Sequence, residues 1–274
     1  MTLPAVKTRT SIPVVSLPPL RKLVLGLGIF VVFFGGWINW ESIDATILIK
    51  KQAAVPKRVL CLGDSLTAGL APPERDRYPY SMFLERALVP LMPQEADKAT
   101  ILTRGNPGWT SSRIANDAFL TGFLNEARTR KKEELKRSHN HKHAIVDLVI
   151  VLAGTNDLEE HGLTSESIFE SIKGIHDQIV SSGCPTIAMG IPPSGFQTSS
   201  EDIRNKARSV NQMLQEWAET TSTTVYVPFP IEKYEISSGR WSIDRLHLTK
   251  LGYEKVGKSL AFLVAKILWS GDQR

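Results

Sequence analysis

The chain has little cysteine: two residues, Cys61 and Cys184, in 274. That excludes a disulfide framework. Both lie in apolar stretches with strand character, so buried free thiols are expected. The sequence also lacks internal repeats and Asn-x-Ser/Thr sites. No Cys or carboxylate pattern accompanies His139, His141 and His143, which argues for a solvated loop over a metal site. Acid is missing from the first 22 residues, which carry Lys7, Arg9, Arg21 and Lys22 among Thr, Ser and Pro.

Excess positive charge is local. The net charge is +5, and residues 126–143 alone hold seven Lys/Arg against three Glu. The remainder is nearly neutral, which gives no nucleic-acid-binding face. Arg128 to Arg137 reads as a solvated helix end, with contact to anionic lipid as the alternative. Hydrophobic content of 42% with 22% charge is ordinary for a globular chain.

Residues 23–40 are eighteen in a row without charge, ending on Trp37 and Trp40. As a helix they span about 27 Å, close to the ~30 Å of a bilayer core. The expectation is a single-pass membrane helix or signal anchor, which makes the membrane a partner. A cleaved signal peptide and an organelle-targeting segment are rival readings. The basic residues flanking the stretch leave its orientation, and hence the compartment, open. The expected organisation is a leader over 1–22, the membrane helix over 23–40, a linker over 41–56 and one catalytic domain over 57–270.

Within that domain, apolar runs alternate with helical periods. Strands are expected at 58–62, 99–103, 144–152, 185–190 and 223–227. Helices are expected at 80–91, 111–124, 165–181, 200–222 and 249–269, with Thr249 as the last helix's N-cap. Such alternation predicts α/β architecture with a parallel sheet covered on both faces. Ligands in such sheets bind beyond the C-terminal strand ends. Gly63-Asp64-Ser65-Leu66, Asn106-Pro107-Gly108 and Gly154-Thr155-Asn156-Asp157 each follow one of the first three strands. The pattern therefore puts all three on one sheet edge.

The chemistry in these pieces is acyl transfer. Ser65 is a nucleophile candidate that needs a base within hydrogen-bond reach. His247, in Asp244-Arg245-Leu246-His247, is that base, and Asp244 can hold its tautomer. The Ser65 and Gly108 backbone N–H groups and the Asn156 amide are candidate oxyanion donors. Trp109 is read as either acyl-pocket lining or core. Cys61 is read as strand core.

The four blocks, with Gly63-Asp64-Ser65-Leu66-Thr67-Ala68-Gly69 and Asp244-Arg245-Leu246-His247-Leu248-Thr249 in full, resemble the SGNH hydrolases, the GDSL-type esterases and lipases. The likeness covers about residues 57–265. It implies a flavodoxin-like three-layer α/β/α sandwich with five parallel strands. It also implies Ser65 as nucleophile, Asp244 and His247 as triad partners, and Ser65, Gly108 and Asn156 as the oxyanion hole. Asp64 resembles a residue that shapes the turn. No cofactor or metal is implied. The expected substrates are small-molecule or lipid esters of short acyl, aryl or lysophospholipid type. A carbohydrate O-acyltransferase or deacetylase uses the same triad and stays open. A non-catalytic binding module is the third reading, disfavoured by the intact set of five site residues. The basic stretch 128–143 lengthens the connection between the second and third blocks and departs from the family pattern.

Overall fold

The computed structural model describes residues 56–74, 76–93, 98–126 and 146–269. The expected membrane helix, the leader, most of the linker, the basic run and His139, His141 and His143 lie outside the described residues. Among the described residues, no helix is long and apolar enough to cross a membrane.

Five parallel strands form the sheet: β1 (Lys57–Gly63), β2 (Ala99–Gly105), β3 (Leu148–Leu152), β4 (Thr186–Met189) and β5 (Thr224–Val227). Their order is β2-β1-β3-β4-β5, the flavodoxin-like arrangement that the family resemblance implies. All five residues of β3 are buried. That is why this stretch reads as an unbroken run of Leu, Val and Ile: a strand covered on both faces has no polar side to show.

Alternate residues of the strands feed two cores. Val59 and Cys61 of β1 and Leu148, Ile150 and Leu152 of β3 face helices α2 (Tyr80–Leu88) and α7 (Lys250–Trp269). Leu60, Leu62, Val149 and Val151 face α4 (Ser165–Ser181) and α6 (Glu201–Glu219). The period-2 alternation of the strands thus divides the interior into the two halves of a three-layer sandwich. Ile168, Ile172, Ile175 and Ile179 are the buried stripe of α4, at the helical spacing the sequence shows. On the opposite layer, Gly257 lets α7 lie against α2. A Cβ there would stand 2.4 Å from the Tyr80 carbonyl oxygen.

Three helix boundaries have visible causes. Thr164 and Ser167 form a reciprocal capping box that starts α4. Ser200 caps α6 through a bond from Ile203 N. Thr249 accepts from Gly252 N at 3.3 Å and caps α7, as the sequence predicts. One expectation changes. The helix expected over 111–124 is broken into α3 (Ser111–Ala115) and a second helical stretch from 118 to 126. Asn116 folds its side chain back onto the Ser112 carbonyl. Asp117 accepts from Phe119 N and pairs with Arg104 at 3.1 Å. Both residues use local side-chain bonds that compete with a continuous helix.

The strand register sets the height of the loops. Gly63 pairs with Gly105 on β2 and with Leu152 on β3. The segments that follow these three residues therefore leave the sheet at one level, on its C-terminal edge. The edge between β1 and β3 is where the strand order reverses, the customary ligand crevice of such a sheet.

Candidate active site

Ser65 is the first residue of a one-turn helix, α1 (Ser65–Ala68), directly after β1. Asp64 is its N-cap and accepts from Leu66 N at 2.9 Å. The cap fixes the sharp strand-to-helix turn and so fixes where the Ser65 hydroxyl stands. Asp64 is fully buried. Burial pushes its carboxyl up to about 7, with the Asp157 charge adding to the rise against the opposing Leu66 N–H bond.

The Ser65 Oγ lies 2.8 Å from Nε2 of His247. Nδ1 of the same ring lies 2.5 Å from Asp244 Oδ2. An ionised carboxylate can only accept, so the Nδ1 nitrogen carries the proton. That leaves the Nε2 lone pair to accept from the serine hydroxyl. The structure thus aligns the three residues named from the sequence in one hydrogen-bonded row. Asp244 is held by more than the ring. Its Oδ1 accepts from Leu246 N at 3.0 Å and His247 N at 2.9 Å. Burial raises its pKa, but the bonds from the His247 ring and from these two amides outweigh it. The carboxyl ends below its ordinary range. An ionised Asp244 is what a proton-accepting imidazole needs behind it.

The turn that carries the pair is pinned at both ends. Trp241 and Leu248 form an antiparallel bridge, and Ser242 N donates to the His247 carbonyl at 2.8 Å. The Ser242 hydroxyl donates to the Pro72 carbonyl on the loop after α1. Arg245, between the two triad members, has φ of 69°.

The second block makes a tight turn in which Trp109 N donates to the Asn106 carbonyl at 3.2 Å. Gly108 has φ of 75°, and a Cβ on it would meet nothing within 4 Å. Glycine is required there by the backbone conformation, while the space beside it is open to an incoming group. Asn156 bridges all three strand loops. Its Nδ2 donates to the Trp109 carbonyl at 2.9 Å and stands 3.4 Å from Asp64 Oδ2.

Sequence reasoning passed over Asp157. This buried carboxylate accepts from Ser111 N with both oxygens, at 3.1 and 2.9 Å, and from the Ser111 hydroxyl at 2.5 Å. It locks the helix after the second block to the third block. The signal was present in Gly154-Thr155-Asn156-Asp157, where only Asn156 received a role. Trp109 is half-buried against the apolar core, with the Arg113 guanidinium 4.8 Å from its ring centre. The packing reading therefore holds for part of the ring. Burial pushes the Cys61 thiol up to about 12, so it is core and not a nucleophile. Among the described residues, no three His, Cys, Asp or Glu side chains cluster as a metal site. A groove of about 490 Å³ beside Thr164, Glu166, Asp202 and Lys206 includes no member of the row.

Residues 61–255 match the model of the GDSL-like lipase/acylhydrolase family. The fold is similar to that of a carbohydrate acetylesterase from Sinorhizobium meliloti, with a TM-score of 0.56 and 21% identity over 77% of this chain and 99% of that one. It is also similar to the native aryl esterase of M. smegmatis (TM-score 0.56, 19% identity, 77% and 99% covered). A lipase/acylhydrolase from Enterococcus faecalis gives a TM-score of 0.55 and 18% identity, with 76% and 95% covered. Identities this low establish a common fold and no more. No curated protein sequence gave a match.

Proposed function

We propose that this chain, which belongs to the GDSL-like lipase/acylhydrolase family and is a serine hydrolase acting on esters, cleaves small carboxylic esters of short acyl, aryl or lysophospholipid type with Ser65 as nucleophile. The observation that carries the reading is the continuous row from Ser65 Oγ to His247 Nε2 at 2.8 Å and from His247 Nδ1 to Asp244 at 2.5 Å.

In the first step Ser65 Oγ attacks the ester carbonyl carbon and passes its proton to His247 Nε2. Asp244 stabilises the imidazolium that results. The carbonyl π pair moves onto oxygen, where the Ser65 and Gly108 N–H groups and the Asn156 amide meet the charge. The short Asn156 bond to Trp109 keeps the amide aimed. Its long contact with Asp64, at 3.4 Å, is the one the oxyanion replaces. Collapse expels the alkoxide, which takes the proton from His247 and leaves an acyl-Ser65. Water, deprotonated by the same ring, attacks the acyl carbon and restores the serine.

A second reading is transfer or removal of an acyl group on carbohydrate. The fold neighbour named as a carbohydrate acetylesterase supports keeping it. The proposal also assigns the apolar residues 23–40 to a membrane, which brings the domain to a lipid surface.

A panel of p-nitrophenyl acetate, butyrate and octanoate, lysophosphatidylcholine and an acetylated oligosaccharide tests the reading, with Ser65→Ala as control. Turnover well above the control on one class identifies the substrate class. Wild-type rates equal to those of Ser65→Ala on every ester sink the proposal. Acylated sugar appearing when a free sugar acceptor is added favours the transferase. Release of the full chain from membranes by alkaline carbonate rules out the anchor.

A further inference from the structure

The turn that holds the base contains a backbone conformation that needs support. Among the described residues, Arg245 is the one non-glycine with positive φ. There its Cβ crowds the following carbonyl, a geometry L residues avoid. Neighbouring contacts have to hold it.

Those contacts come from the segment after β4. The Arg245 carbonyl accepts from Gly195 N at 2.7 Å. Its guanidinium returns to the same residue, with Nη2 donating to the Gly195 carbonyl at 2.6 Å and to the Ser199 hydroxyl. The guanidinium carbon stands 5.9 Å from the Phe196 ring centre. A Cβ on Gly195 would lie 2.6 Å from both Cβ and Nε of Arg245, so only glycine lets the two segments meet this closely.

Gly195 opens α5 (Gly195–Ser199), which is braced within the loop that follows β4. Ser194 Oγ accepts from Gln197 N at 3.3 Å. Gln197 Nε2 donates at 2.7 Å to the carbonyl of Pro192, just past the end of β4. These bonds tie Arg245, the residue after Asp244, through Gly195 to the loop that leaves β4. The bonds from Leu246 N and His247 N to Asp244 fix the shape of the turn. They move with it; its place is fixed on one side by the Ser242 bond to Pro72 and on the other by the contacts with Gly195.

We propose that Arg245 is a positioning residue for His247: its two-way clamp on Gly195 sets where the histidine turn stands relative to Ser65. The inference rests on the serine-hydrolase reading above. Displacement of a reacting group by about 1 Å can cost on the order of a hundredfold in rate. A loosened clamp therefore acts on turnover and leaves ester binding nearly unchanged.

The test compares Arg245→Ala, Arg245→Gly and Arg245→Lys with wild type. It reads kcat, KM, the unfolding midpoint and the fraction of sites titrated by a fluorophosphonate. Arg245→Ala is expected to lose roughly ten- to a hundredfold in kcat, with KM within about twofold and full titration. Arg245→Gly removes the backbone strain together with the guanidinium half of the clamp and keeps the main-chain bond from Gly195 N. Its kcat is expected to fall as far as that of Arg245→Ala, while its unfolding midpoint matches or exceeds wild type. Arg245→Lys keeps one donor and is expected to recover part of the loss. Retention of kcat within about twofold by Arg245→Gly overturns the clamp. So does a loss accounted for wholly by a smaller titrated fraction. Should Arg245→Ala fail to fold, Arg245→Gly decides. Wild-type turnover above that of Ser65→Ala is measured first, and its absence counts against the hydrolase reading and not against the clamp.

Discussion

Among the described residues, two places hold a histidine nitrogen 2.8 Å from a side-chain hydroxyl. One is His247 with Ser65, at the C-terminal edge of the sheet. The other is His176 of α4 with Thr186, at the opposite end. At the first, the second ring nitrogen faces Asp244. At the second, the remaining nitrogen has no hydrogen-bond partner among the described residues, and the ring is wholly buried against Trp217. Burial drags the His176 pKa down to about 3. Such a ring stays neutral at every working pH and cannot take a proton from a hydroxyl. Thr186 is further engaged by the Thr224 hydroxyl at 2.9 Å. The pair is a structural polar chain inside the core. Distance between hydroxyl and ring does not make a general base. The carboxylate behind the ring and access to substrate do.

The largest expected effect separates the pairs by their carboxylate. Asp244→Asn keeps the shape and an acceptor for the two amides but loses the tautomer control. A kcat loss of about four orders of magnitude is expected, against a change within about twofold for His176→Leu. Comparable losses in the two variants, measured on one p-nitrophenyl ester, break the comparison.

A smaller effect concerns what only the catalytic edge has beyond its row. Asn156→Ala is expected to lower kcat by about a hundred- to a thousandfold, with a much smaller change in KM. A rise in KM at constant kcat would mean that the amide binds the ground state and has no special role toward the oxyanion.

The smallest effect is on stability. His176 binds a proton readily when unfolded, near pH 6.5, and when folded only near pH 3. Between those values the unfolded chain holds more protons. The contribution is fully present above about 6.5 and is lost as pH falls toward 3. At pH 5 the loss is on the order of 2 kcal/mol. Asp64 acts oppositely: raised to about 7, it favours the folded state at low pH and withdraws that support as pH rises from about 4 to 7. Asp244, held low, adds acid sensitivity only below the carboxylate range. Urea midpoints of wild type minus His176→Leu isolate the histidine. A difference that does not change between pH 7 and pH 5 contradicts its buried neutral state.

Much of this was legible in the chain. The strands announce themselves because a buried parallel strand must be apolar throughout, as Leu148–Leu152 is. The blocks after β1, β2 and β3 could be assigned to one edge because parallel strands all end on the same side. What stayed hidden depends on partners distant in sequence. Nothing local says that Asp117 pairs with Arg104, or that Gly195 receives Arg245 from 50 residues away. The isoleucine stripe of α4 was readable, but the burial of His176 beside it was not. Its Thr186 and Thr224 partners come from two different strands.

The distance along the chain between Ser65 and His247 also has a temporal side. The two are 182 residues apart. A ribosome adding about 5–20 residues per second needs roughly 10–40 s to make that interval. For that time the nascent protein carries a serine with no partner to activate it. On the proposed mechanism, a chain stalled before Asp244 has neither the base nor its carboxylate and is expected to show no esterase activity.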